Sequence, residues 1–139
     1  MAQPVSKCII CEDILRNYLA KYCRRCGNIM ARVETHGKAE VAACVQALRK
    51  AWDKDSECFR CYYSGIRLVE DNYKDPRYIT FDRLIMEKDA DLVITASIIK
   101  DMKSDMSSDE FKTIINQLAK HFEDGTAVDE TIFKIKYWR

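Results

Sequence analysis

The sequence lacks the features that would place the chain in a membrane or send it out of the cell. No apolar run approaches the roughly 18 residues that span a bilayer, and the N-terminus has no apolar core like that of a secretory signal. Only two residues are histidines, and the net charge is only +1. We therefore expect an intracellular protein, or one made inside a host cell, with no membrane partner. The bulk charge does not indicate a nucleic-acid binder.

The small net charge hides an uneven distribution. Residues 1–32 carry six basic and two acidic side chains, a net charge of +4, whereas residues 33–124 carry 14 basic and 18 acidic ones, a net charge of −4. Because Lys and Arg make most contacts to phosphate, any phosphate contacts of this protein are expected at its N-terminal end. The adjacent pair Arg24 and Arg25 lies in this basic segment.

Seven cysteines predict a bound metal rather than disulfides. Their odd number, the missing secretory signal and the presence of C-x-x-C pairs favour thiolate ligation in a reducing compartment. Cys8, Cys11, Cys23 and Cys26 follow the pattern C-x2-C-x11-C-x2-C. Four thiolates close a tetrahedron around Zn²⁺ and leave no position for a catalytic water. The pattern predicts one structural zinc per chain, with free thiols and a redox pair as the alternatives.

Hydrophobic periodicity predicts the elements around this site. Residues 12–22 have apolar side chains at helical spacing and predict a short helix packed beside the metal. A short strand is expected at 29–33. A helix is expected at 39–52, with Cys44 on its apolar stripe as a small core residue.

The second half of the chain is predicted to mix strands and helices. The expected elements are a charged turn at 53–57, a turn at Ser64-Gly65, a strand at 78–85, an apolar stretch that becomes helical at 93–103, a helix from Ser107 to Gly125 and a terminal strand at 131–138. The last helix has the clearest signals, because Ser107 and Glu110 form a capping box and Gly125 is a typical C-terminal stop.

Cys58 and Cys61 form a third C-x-x-C pair. A second zinc would need two further ligands, and neither His36 nor His121 has knuckle-like spacing to a partner. We expect Cys58 and Cys61 to be structural thiols, with a second zinc as the alternative.

The middle of the chain resembles a known family. Residues 59–68 read FRCYYSGIRL and residues 76–82 read PRYITFD. This is similar to the first hairpin of HNH endonucleases, often written C-Y-Y-T-G-x-x-L and followed by a strand ending in Asp-His. Residues 92–105 are similar to the helix that closes the same ββα-metal motif. The resemblance covers about residues 55–122, and some members also carry an N-terminal zinc knuckle.

The resemblance implies a metal-dependent nuclease site, from which this sequence departs at two positions. In the family, a strand Asp and a helix Asn hold a divalent cation, and a His beside the Asp activates water. Asp82 falls on that Asp, Arg83 on the His and Lys100 on the Asn. Arginine has no lone pair to accept a proton, and an ammonium group repels a divalent cation. We therefore expect no catalytic residue, and we expect Lys100 to take the place of the metal and pair with Asp82.

Together these observations predict an α+β fold. It would consist of a small zinc-stapled helical N-terminal module in residues 1–52, an HNH-like ββα core with an extra helix in residues 53–125, and a C-terminal strand or tail in residues 126–139.

The predicted function is a zinc-binding, catalytically inactive HNH-like scaffold that binds nucleic acid or regulates a larger assembly. The residues expected to contact nucleic acid are Arg24, Arg25, Arg83, Lys100 and Lys103. One alternative is an active DNA endonuclease that uses Mg²⁺ and a base from elsewhere in the chain. The other is a protein–protein adaptor whose zinc module and aromatic hairpin dock onto a partner.

Overall fold

The computed structural model describes residues 6–16, 19–33, 38–85 and 91–132. Its elements in chain order are α1 (Arg24–Ala31), α2 (Lys38–Ala51), β1 (Trp52–Asp53), β2 (Cys58–Phe59), β3 (Ile79–Arg83), β4 (Leu92–Ala96), α3 (Ser97–Lys103), α4 (Ser108–Asp124) and a 3-10 helix (Glu130–Ile132). The strands form two antiparallel hairpins, β1 with β2 and β3 with β4. The predicted α+β class is confirmed. Within the described ranges, none of the helices combines the length and apolarity needed to cross a membrane.

Helix α2 carries the centre of the hydrophobic core. It was predicted at residues 39–52 and is confirmed within a residue at each end. Its stripe buries Cys44 and Leu48, which are 2% and 0% exposed. This face packs across β4, where Ile94 and Ala96 are also buried. One continuous cluster of buried side chains therefore joins the N-terminal cysteines to the second hairpin.

The hairpins follow the predicted turns and strands. The charged turn after residue 53 joins β1 to β2, and Gly65 adopts the left-handed conformation, with φ of +72°, that the Ser64-Gly65 turn requires. The predicted strand at 78–85 is β3. The stretch at 93–103 starts as β4 and continues as α3, so Asp82 lies opposite Val93 in the ladder.

The capping signals of α4 are confirmed. Ser107 Oγ accepts a hydrogen bond from the Glu110 N–H at 3.1 Å, and Gly125, in the left-handed conformation, ends the helix. Only the first turn reaches the core, because Phe111 is 5% exposed whereas Phe122 is 83% exposed. Most of the predicted terminal strand lies outside the described residues. Its first residue, Thr131, belongs to the 3-10 helix.

Three predictions about local structure are wrong. In the described part of the 12–22 spacer there is no helix, and its apolar residues Ile14 and Leu19 are 74% and 75% exposed. The expected strand at 29–33 is instead the end of α1 and the turn after it, with Ile29 and Met30 buried. The helix implied by the resemblance at 92–105 begins only at residue 97, because the first five residues pair with β3.

Candidate metal centre and the charged groups around it

The four cysteines of the predicted zinc site converge. The sulfur atoms of Cys8, Cys11, Cys23 and Cys26 all lie within 4.8 Å of one another, and the Cys11 and Cys23 sulfurs are 3.6 Å apart. A tetrahedral ion with metal–sulfur bonds of about 2.3 Å has sulfur–sulfur edges of about 3.8 Å. The cluster therefore fits one metal ion, as the spacing predicted.

Two tight local structures present the sulfurs. The first pair sits in a turn that is closed by a backbone hydrogen bond from the Cys8 N–H to the Asp13 carbonyl, at 2.8 Å. Glu12 in this turn has a φ of +67°. The second pair starts α1, because Cys23 is the N-cap and its sulfur accepts the Cys26 N–H at 3.5 Å. Backbone N–H groups directed at sulfur stabilise thiolates, the form that binds metal.

The thiol pKa values of the cluster are spread apart. Burial raises the pKa of Cys8, but hydrogen bonds from the Cys11 and Cys23 backbone outweigh it and bring the pKa to about 7. Burial raises the pKa of Cys11 to about 12, and the negative charge of neighbouring thiolates adds to the increase. Burial likewise holds the pKa of Cys26 far above its usual range. A metal ion must displace protons from such thiols, so its affinity falls as the pH falls.

Asp82 forms a buried ion pair, but not with Lys100. The Lys103 ammonium lies 3.1 Å from Asp82 Oδ2 and donates a hydrogen bond to the Arg83 carbonyl at 3.0 Å. Lys103 is 0% exposed and Asp82 is 5% exposed, whereas Lys100 is exposed. The prediction that Lys100 pairs with Asp82 is therefore wrong. Because α3 starts five residues later than expected, its last turn rather than its first faces the end of β3.

Three cations near Asp82 were predicted to contact phosphate, and two of them are engaged with other groups of the protein instead. Lys103 is fully buried and cannot reach a nucleic acid, so its predicted role as a contact residue is wrong. Arg83 donates a hydrogen bond to Glu40 of α2 at 2.8 Å, with about a quarter of its side chain exposed. Of the three cations expected in this region, only Lys100 is exposed.

Two hydroxyl groups beside Asp82 were missed by sequence reasoning. Burial raises the pKa of Tyr63, a nearby hydroxyl on Ser108 opposes the increase, and the charge of Asp82 reinforces it. In the described part of the chain, Tyr63 Oη, Ser108 Oγ and Asp82 Oδ2 are buried without a hydrogen-bond partner. The Asp82–Lys103 contact is thus mainly electrostatic. No local sequence pattern predicts this cluster, because Tyr63, Asp82 and Ser108 are far apart in sequence.

Arg25 and its neighbour Arg24 have opposite environments. Arg25 donates a hydrogen bond to the Glu57 carbonyl at 3.2 Å, pairs with Glu70 at 3.7 Å and lies over the Trp52 ring at 5.4 Å. It joins α1 to the rest of the fold. Arg24 is exposed and, among the described residues, has no ion-pair or hydrogen-bond partner for its side chain.

The remaining cysteines of the described residues belong to no second group of possible metal ligands. Among the described residues, the cluster above is the one group of three or more His, Cys, Asp or Glu side chains close enough to share an ion. Cys61 is buried, its thiol faces Thr95 Oγ1 at 3.5 Å and its sulfur accepts the Ala96 N–H at 3.4 Å. Cys58 is 4% exposed. His36, which was considered as a ligand, lies outside the described residues.

The chain was compared with protein-family models, curated proteins and solved structures. None of the three comparisons found a match.

Proposed function

We propose that this chain is a zinc-stapled, catalytically inactive HNH-like protein that binds nucleic acid through its metal module, residues 6–33. The observation that supports binding is a set of exposed cations around the cysteine cluster. Their side chains have no ion-pair or hydrogen-bond partner among the described residues. The set comprises Lys7, Arg16, Lys21 and Arg24.

Zinc is the metal that the donor set favours, since four thiolates suit its tetrahedral preference and leave no open position. Four thiolates and one Zn²⁺ sum to a formal charge of −2, which offsets part of the +4 carried by residues 1–32. The metal supplies folding free energy rather than chemistry. The nucleic-acid surface is correspondingly moderate in charge, and we expect a moderate salt dependence of binding.

The order of elements supports the HNH-like proposal. Strands β3 and β4 form an antiparallel hairpin, and α3 follows directly. Asp82 lies near the end of β3, and a side chain of α3 reaches it. In this arrangement the Lys103 ammonium lies beside Asp82, where the resemblance implies a divalent cation.

The same geometry argues against hydrolysis. A divalent cation at Asp82 would meet the buried Lys103 ammonium, and like charges in a low-dielectric site repel strongly. Arg83 cannot act as a base. His121, the one histidine among the described residues, donates from Nδ1 to the Thr126 carbonyl. It lies 13 residues along α4 from Ser108, which is about 20 Å of helix.

Supercoiled plasmid incubated with the zinc-loaded protein and Mg²⁺ or Mn²⁺ should therefore stay intact. The measurement is conversion to nicked or linear DNA on a gel, with wild-type protein and Asp82→Asn prepared in parallel. Nicking by the wild type that disappears in Asp82→Asn, at a temperature at which circular dichroism shows this variant to be folded, would reverse the assignment and favour an active endonuclease. Equal nicking by both proteins would indicate a contaminating nuclease and leave the inactive assignment standing.

Loss of two module cations should weaken binding in a salt-dependent manner. If all four exposed cations contact a single strand, the slope of log K against log salt is about −2.8. The double variant Arg16→Ala/Arg24→Ala should make the slope shallower by about 1.4, because it removes two phosphate contacts. Fluorescence anisotropy at several salt concentrations measures the slope.

The matched control removes two exposed cations outside the metal module, in the variant Arg49→Ala/Lys120→Ala. It has the same change in net charge and should leave the slope unchanged. An equal loss in both variants would indicate a general charge effect and contradict the assigned surface. No binding at low salt would contradict nucleic-acid binding altogether and favour the protein–protein adaptor.

A further inference from the structure

One side of the metal module contains a groove of about 490 Å³. Its walls combine apolar side chains with two arginines. The lining residues are Ile14, Leu15, Arg16, Ala20, Tyr22, Cys23 and Arg24. A volume of this size lies within the range of small-ligand sites, which are typically apolar with a few charged groups that fix orientation.

The groove borders the cysteine cluster and is partly open to solvent. Cys23 is one of the four clustered cysteines, and Leu15 and Tyr22 pack against the core cluster. Ile14 also lines the groove and is 74% exposed. An apolar side chain so exposed beside a groove is available to a flat, apolar ligand face.

The two arginines complement an anion at this groove. Arg16 and Arg24 are exposed, and their guanidinium groups have no partner among the described residues. Arg25, by contrast, is engaged with Glu70 and Trp52. The groove therefore offers apolar side chains and unpaired positive charge together, which can contact a base and its flanking phosphates.

We propose that this groove binds an unpaired base of single-stranded nucleic acid, with Arg16 and Arg24 on the flanking phosphates. The inference rests on the proposed nucleic-acid function and specifies its substrate class. In a duplex the bases are paired and stacked, so they cannot enter a groove on the protein. A single strand presents base faces and phosphates at the same time. The groove thus makes the protein selective for single strands without reading their sequence.

The test uses the zinc-loaded full chain and three probes of equal length, about 20 nucleotides. These are a labelled oligothymidine strand, the same strand with abasic sites throughout, and a duplex. Affinities come from fluorescence anisotropy at one salt concentration. We expect the oligothymidine to bind about tenfold more tightly than the abasic strand, because base stacking is lost in the latter. We expect the duplex to bind no more tightly than the abasic strand.

A pair of variants assigns the effect to the groove. Ile14→Ser should weaken oligothymidine binding about fivefold and leave abasic binding unchanged. Leu19→Ser is the matched control, because Leu19 is 75% exposed in the same module and does not line the groove. Its oligothymidine affinity should equal that of the wild type. An unchanged melting temperature in both variants shows that folding is intact.

Each other outcome overturns the inference in a distinguishable way. Equal affinities for the three probes, with the salt dependence retained, would show phosphate binding alone and leave the proposed function standing. An equal loss of oligothymidine affinity in Ile14→Ser and Leu19→Ser would show that the base binds outside this groove. Full displacement of the strand by polyglutamate of equal charge would indicate an acidic peptide as the occupant. No binding of any probe would remove the proposed function as well.

Discussion

Removal of the metal should unfold the metal module of this protein, residues 6–33. Structural zinc in small four-cysteine sites contributes about 10 kcal/mol or more of folding free energy. Whole domains are stable by only about 5–15 kcal/mol. Three of the four clustered cysteines are buried, and Ile10, Ile29 and Met30 pack in the same core cluster. Without the ion, the module would retain buried thiols in place of metal–sulfur bonds.

We expect a strong chelator to release one zinc per chain and to lower the melting temperature by more than about 10 °C, given the size of the metal's contribution. Metal analysis by mass spectrometry and thermal unfolding by circular dichroism measure the two effects. The variant Cys26→Ser should contain no zinc when purified, and its melting temperature should equal that of the wild type after treatment with the chelator. Acidification should release the metal too, because protons compete for Cys11 and Cys26, whose pKa values are raised by burial.

Cys44→Ala is the control for loss of a buried thiol. Cys44 is 2% exposed, comparable with Cys8 and Cys26, but lies on α2 outside the cluster. This variant should keep one zinc per chain and remain sensitive to the chelator. Two zinc ions per wild-type chain would contradict the structural role of Cys58 and Cys61. An unchanged melting temperature after complete zinc removal would contradict the folding role of the metal.

The predictions that succeeded depend on short-range chemistry. The clustering of Cys8, Cys11, Cys23 and Cys26 could be predicted because a tetrahedral ion dictates cysteine spacing almost independently of the rest of the fold. The ends of α4 could be predicted because Ser107 and Gly125 satisfy the backbone groups next to them. In both cases the residues that determine the structure are close in sequence.

The predictions that failed depend on what surrounds an element. The apolar residues of the spacer have helical spacing, yet Ile14 and Leu19 face solvent because the turn at Cys8 and the start of α1 fix the chain instead. Cys23 could have been read as an N-cap, since its side chain accepts the Cys26 N–H. That signal would have predicted α1 in place of a strand.

The charged residues were the least predictable. Arg24 and Arg25 are neighbours of the same type, and only the positions of Trp52 and Glu70 in space make one a structural contact. Lys103 lies among other charged residues of α3, a pattern typical of an exposed helix end, and yet it is fully buried. A buried lysine depends on a partner from elsewhere in the chain, here Asp82 from β3.

Loss of either member of the Asp82–Lys103 pair should strongly lower the stability of the fold. Removing one member of a buried ion pair leaves an uncompensated charge and costs about 3–5 kcal/mol. Lys103→Met and Asp82→Asn should each lower the melting temperature by about 10 °C or more in a domain of this size. The double variant should recover most of the loss, because the buried charge is then removed altogether. Urea unfolding of the four proteins gives the coupling free energy, expected to be at least about 2 kcal/mol.

The variant Lys100→Met distinguishes the observed Asp82–Lys103 pair from the Asp82–Lys100 pair that the sequence predicted. Lys100 lies three residues earlier on the same helix and is exposed, so its replacement should change stability by less than about 0.5 kcal/mol. The same substitution at position 103 removes an ammonium that is 3.1 Å from Asp82 Oδ2 and 0% exposed. Additive losses in the Asp82–Lys103 double variant, or a larger loss for Lys100→Met than for Lys103→Met, would contradict the assignment. In that event the side of Asp82 would be open, and a divalent cation there would again be a reasonable expectation.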